Sequence, residues 1–91
     1  MVQNSSNQIE QLRHVIELDP DILAAYQSFG TALYATGQLA DAAEAIQAGL
    51  KIEPLSAVLY HDSGRVLKEQ GDATGAANAL ALAASLGQLG H

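Results

Sequence analysis

Apolar residues along the chain recur at helical spacing in five stretches, each closed by a short polar or glycine-containing break. In the stretch 8–20, Ile9, Leu12, Val15 and Ile16 stand three and four apart, and Pro20 closes it. That spacing gathers side chains on one helical face. Tyr26, Phe29, Gly30 and Leu33 repeat it within 22–36, and Gly37 follows where a left-handed helix end is expected. Leu39, Ala42, Ile46 and Leu50 mark a third helix over 39–52, with Pro54 after it. Tyr60, Gly64 and Leu67 mark a fourth over 56–70, stopped by Gly71. Asp72 then caps a fifth over residues 73–86. No stretch alternates with a period of two, so the pattern predicts no strand. The polar opening MVQNSSN, residues 1–7, predicts a disordered lead-in in which Ser5 or Ser6 caps the first helix.

The second and fourth stretches are copies in type though not in letters. Pro20 and Pro54, Tyr26 and Tyr60, Gly30 and Gly64, Leu33 and Leu67, and Gly37 and Gly71 are each 34 residues apart. Connections of a few residues force neighbouring helices antiparallel. The order is therefore one lone helix followed by two helical hairpins. A period of this length is the mark of stacked repeats in which each unit buries its apolar face on the next.

At this point the chain resembles the tetratricopeptide repeat (TPR) family, whose unit is a helix–turn–helix of the same length. Tyr26, Phe29, Gly30, Leu33, Gly37, Ala42, Ile46 and Pro54 match its signature in one repeat, and Tyr60, Gly64, Leu67, Gly71, Asp72, Ala76, Leu80 and Ala83 in the next. The resemblance implies an all-α fold of antiparallel helix–turn–helix repeats stacked as a short right-handed superhelix of about five helices. It divides the domain 8–91 into a half repeat 8–20 and full repeats 21–54 and 55–88. The small residues Gly30, Gly64, Ala42 and Ala76 are expected where paired helices approach closely. Gly49 departs from the family's alanine and costs about 1 kcal/mol of helix propensity. Ser63 replaces an apolar residue, and Gln88 stands where a third proline would fall.

Composition narrows the partners. The 91 residues make one small domain, and a chain of this size buries about 60% of its unfolded surface. With aromatics at only 4%, the core has to be made of close-packed small aliphatic groups. A net charge of −6 disfavours nucleic acid and anionic membrane, both of which select basic surfaces. No apolar run is long enough to span a bilayer, and no signal peptide opens the chain, so a cytoplasmic location is expected. The absence of cysteine removes disulfides and thiolate metal sites.

Candidate chemistry is sparse. His14, His61 and His91 are far apart in sequence, and no carboxylate is spaced to form a triad with them. Glu10 and His14 share a helical face, a pairing common on any exposed helix. No glycine-rich phosphate loop is present. The expectation is a non-catalytic protein without metal or cofactor.

Binding is the stronger reading. In the family the chain resembles, the first helix of each hairpin lines a concave groove that receives a peptide or helix of a partner protein. The resemblance places Gln27, Thr31 and Tyr34, beside Ala24, on that surface in one repeat, and His61, Arg65 and Lys68, beside Val58, in the next. Arg65 and Lys68 are two of only four Lys and Arg residues, and with His61 they share a face. That face weakly resembles the clamp by which some members hold a C-terminal carboxylate. An ordinary solvated face accounts for the same charges. The alternative function is a scaffold that self-associates through open ends. No formal charge occurs from Ala73 to Gly90, and Ala79, Leu82 and Leu86 are the 34-residue counterparts of Ala45, Ala48 and Ile52, which are expected to receive the next hairpin. At the other end Leu12, Val15 and Ile16 lack a preceding helix. An uncovered apolar end points to a homo-oligomer, most simply a symmetric pair.

Overall fold

The computed structural model describes residues 5–89, with side-chain surroundings for 7–88. Helices α1 (Ser5–Leu18), α2 (Leu23–Ala35), α3 (Leu39–Ile52), α4 (Ala57–Glu69) and α5 (Ala73–Leu89) follow one another, and no strand occurs among the described residues. The fold is all-α. α2 pairs with α3 and α4 with α5 as two hairpins, and α4 also packs on α2 and α3. α1 packs on α2, and so stands toward the first hairpin as α3 stands toward the second. The stack measures 38 × 28 × 22 Å.

Two boundaries differ from the sequence pattern. Ser5, Ser6 and Asn7, expected in the lead-in, form the first turn of α1, so Ser5 and Ser6 lie within the helix and not ahead of it. The remainder of the lead-in falls outside the described residues. α5 continues past residue 86 to Leu89, because Gln88 stands where a proline would have stopped it.

The 34-residue period is reproduced down to the hydrogen bonds that end the first helix of each hairpin. Gly37 adopts φ 80° and Gly71 φ 90°, the left-handed conformation that carries no Cβ penalty only for glycine. At the end of α2, the Gly37 N–H donates to the Tyr34 carbonyl at 3.0 Å and the Gln38 N–H to the Leu33 carbonyl at 2.9 Å. At the end of α4, Gly71 donates to Lys68 at 3.1 Å and Asp72 to Leu67 at 2.9 Å. Both ends are Schellman motifs that satisfy otherwise orphaned carbonyls. Helix starts are less alike. Ser56 Oγ accepts from the Leu59 N–H at 3.1 Å and Asp72 Oδ1 from the Gly75 N–H at 2.8 Å, whereas Ile22 and Gln38 give α2 and α3 no side-chain cap.

The core runs through the stack and is built from Leu33, Ala42, Ile46, Leu59 and Val66, all essentially inaccessible. Small residues decide how closely the helices approach. A Cβ on Gly30 would lie 3.2 Å from Ile46 Cγ1, and one on Gly64 only 2.7 Å from Leu80. Gly49 has the same role between hairpins, since a Cβ there would meet Leu59 Cδ1 at 2.9 Å and Tyr26 Cβ at 3.3 Å. The helix propensity lost at Gly49 is thus offset by seating Leu59 of the following hairpin.

Leu59→Ala is expected to cost about 2–5 kcal/mol, because it empties the seat that joins the hairpins. Gly71→Ala is expected to cost about 1–2 kcal/mol, the penalty of a left-handed residue carrying a Cβ. Urea unfolding followed by circular dichroism checks both, and equal losses would contradict the assignment of Leu59 as the joint.

Candidate partner-binding groove

A groove of about 390 Å³ opens where the start of α1 meets α2 and α4. Gln8 lines it from α1, Gln27, Ser28 and Thr31 from α2, and Val58 and Asp62 from α4. The sequence expectation placed Gln27 and Thr31 on this surface, and the structure brings both to the groove. Thr31, Tyr34, Asp62 and Arg65 meet in a smaller recess beside it. Thr31 and Asp62 are common to both spaces.

The residues of the expected basic face border different spaces. His61 turns to a separate groove with Val58, Leu80, Ala83 and Ala84. Lys68 stands exposed in the last turn of α4. The Arg65 guanidinium lies 4.6 Å from the centre of the Tyr34 ring, a cation–π contact from α4 to α2. Its Nη1 is 3.9 Å from Asp62 Oδ1, one turn earlier on the same helix. Helical spacing put His61, Arg65 and Lys68 on one face, but the packing of α2 against α4 leaves Arg65 at the recess beside the groove, His61 at a separate groove and Lys68 at neither.

Asp62 is a groove residue that the sequence reading did not single out. Its side chain is 17% exposed, against 47% for Arg65. Burial pushes its carboxyl above the usual aspartate value, while the charges of Arg65 and His61 pull the other way and do not compensate. Its 34-residue counterpart is Ser28, which also lines the groove, so the signal was a charge at a position where the first repeat carries a small hydroxyl.

The surface expected to self-associate is also rearranged. Ala79 is buried at 9% exposure, Leu82 is exposed at 43% and Leu86 is half-buried. Of the three residues expected to receive the next hairpin, Ile52 is 36% exposed, and a space on another side is bordered by Ala45 and Ala48. These two line it with Arg13, Tyr26 and Phe29, facing back toward α1 and α2, while Gly49 takes Leu59 of α4. Carried forward by one period, the open seat is therefore the apolar groove of Val58, His61, Leu80, Ala83 and Ala84, because Gly49 corresponds to Ala83. At the N-terminal end Ile9 is buried, Leu12 and Ile16 are half-buried, and Val15 is 37% exposed.

Among the described residues no three His, Cys, Asp or Glu side chains gather as metal ligands would. None of the described helices is long and apolar enough to cross a membrane. The arrangement offers a polar concave surface with one half-buried carboxylate.

Comparison with known proteins agrees on the architecture. One solved structure, described as MamA MSR-1 C2, superposes with a TM-score of 0.91 at 17% identity, over 96% of this chain and 50% of its own. A second, the crystal structure of MamA, superposes with a TM-score of 0.87 at 21% identity, over 92% of this chain and 49% of its own. The chain thus spans about half the length of these structural neighbours. No protein-family model matches the chain, and no curated protein matches its sequence. At identities this low the superpositions show a shared fold alone, a tetratricopeptide-like helical repeat.

Because Asp62 binds its proton more tightly when folded than when unfolded, its contribution to stability falls as pH rises through and above the ordinary value of 3.8. Asp62→Asn is therefore expected to be more stable than the native chain at neutral pH. That advantage should vanish at pH values below the unfolded carboxyl's titration. Urea unfolding of both chains across this range provides the check, and an advantage that persists in acid would show that its origin is not the buried charge.

Proposed function

We propose that this chain is a non-catalytic protein-interaction module, and that the groove between α1, α2 and α4 holds an extended segment of a partner protein. The observation that carries the reading is the groove itself. It is open and concave, and neutral hydrogen-bonding side chains (Gln8, Gln27, Ser28 and Thr31) line it together with Val58 and Asp62. Amides and hydroxyls can both donate and accept, which suits the alternating N–H and C=O groups of an extended backbone. Val58, 55% exposed, offers an apolar contact at the edge. The TPR-like fold supports the reading, since its repeats act generally as scaffolds for protein interaction.

Selection of randomised linear peptides against the folded chain is expected to yield binders that perturb the backbone amide resonances of Gln27, Thr31 and Val58. Gln27→Arg, which projects a long charged side chain into the groove, is expected to abolish their binding while leaving the helical circular dichroism unchanged. Binders that perturb only other surfaces would remove the groove from the account.

A second reading is favoured by the far end of the stack. There Val58, Leu80 and Leu82 are exposed at 55%, 38% and 43%, and α5 carries no formal charge. The apolar groove of about 480 Å³ between α4 and α5 is the place that α4 itself occupies one repeat earlier. On this reading the chain is a scaffold that associates with its own kind through α5. Leu82→Lys combined with Ala84→Glu is expected to shift the sedimentation of an associated chain to that of a folded monomer. A native chain that is already monomeric at high concentration would end this second reading.

A further inference from the structure

We infer that the groove selects a basic side chain, a lysine or arginine of the bound segment, and that Asp62 is the residue that recognises it. The inference rests on the groove reading above and names the chemistry of its partner. Every other side chain named at the groove is uncharged, so Asp62 supplies its charge. The carboxylate lies in the protein surface at 17% exposure, where much of its hydration is lost. Arg65, the nearest cation, stops at 3.9 Å with its guanidinium committed to the face of Tyr34. That separation is too long for a hydrogen bond, and among the described residues no hydrogen bond ends on the Asp62 carboxylate. A carboxylate has about four acceptor positions, and a half-dehydrated one gains most from a donor that also carries positive charge.

The groups around Asp62 set the sign of selection. Arg65 and His61 belong to its own helix, Tyr34 faces from α2 through Arg65, and Gln8, Gln27 and Thr31 are uncharged. A partner carboxylate entering the groove would meet a buried like charge, and neither His61 nor Lys68 lies among the groove's lining residues to receive it. The acidic-peptide clamp suggested by Arg65 and Lys68 in the sequence is therefore replaced by its opposite. Thr31, shared by the groove and the recess, stands beside Asp62 as a second oxygen for an ammonium or guanidinium donor. The charge of the whole chain, −6, acts in the same direction.

The peptides selected against the folded native chain supply the probes, and fluorescence polarisation reads their affinity. Binders that Gln27→Arg blocks are expected to share a lysine or arginine at one position. Replacing that residue in the peptide with norleucine, or Asp62 in the protein with Asn, is expected to weaken binding about tenfold or more. The two changes together are expected to weaken it little further, because each removes the same pair. The norleucine peptide keeps the test decisive even if Asp62→Asn perturbs the fold. Groove binders that lack a basic residue, or that lose nothing on either change, would overturn basic selection and leave the interaction module standing. A selection that yields no groove binder at all would overturn both.

Discussion

The structure depends on each hairpin burying its apolar face on the next, and Leu59 is where that dependence is most concentrated. It is completely inaccessible, yet it belongs to α4 and is seated on Gly49 of α3, against which Tyr26 of α2 also lies. Neither hairpin encloses it alone. A chain this short, with four aromatic residues, has no large side chains to spare for a separate core in each repeat. Small residues at the contacts let backbones approach until aliphatic groups such as Leu33, Ile46 and Val66 fill the space at protein-like density. The same approach brings α2 alongside α4 and so creates the groove between them.

Repeat architecture was legible because the constraints behind it are local. A left-handed helix end needs Gly37 or Gly71 wherever it occurs, and a close helix contact needs Gly30 or Gly64, so the period is written in residues with few substitutes. What was not legible depends on neighbours distant in sequence. Spacing along α4 places His61, Arg65 and Lys68 on a shared face, but only the position of α2 determines that Arg65 stacks on Tyr34 while His61 faces α5. Asp62 reads from sequence as a solvated charge, and its burial comes from the packing of α4 against α2. The seat for a following hairpin was not legible around α3 for a related reason. Ala45, Ala48 and Gly49 are close in sequence, yet Ala45 and Ala48 line a groove with α1 and α2 while Gly49 meets Leu59 of α4, a distinction of a fraction of a turn that periodicity does not resolve.

The two ends of the stack are chemically unlike. α1 meets solvent with charged side chains around a partly covered stripe, and it holds α2 through Ile9 and through Arg13, whose guanidinium lies 5.3 Å from the Phe29 ring centre. α5 meets solvent with alanine, leucine and small polar residues. The groove lies between these ends and takes its character from the middle helices. The two grooves for which recognition and association are proposed are therefore separate, with Val58 the residue that borders both.

Charge is unevenly distributed along the stack. Seven of the ten carboxylates but only two of the four Lys and Arg residues precede Leu55, which leaves that part of the chain at −5 and the rest at −1. The negative field of the molecule is therefore stronger on its α1–α3 side. At an ionic strength where the Debye length is about 10 Å, such a field acts before contact. On the proposed reading, a cationic segment is drawn toward the α1–α3 side before contact, and added salt slows its capture more than its escape.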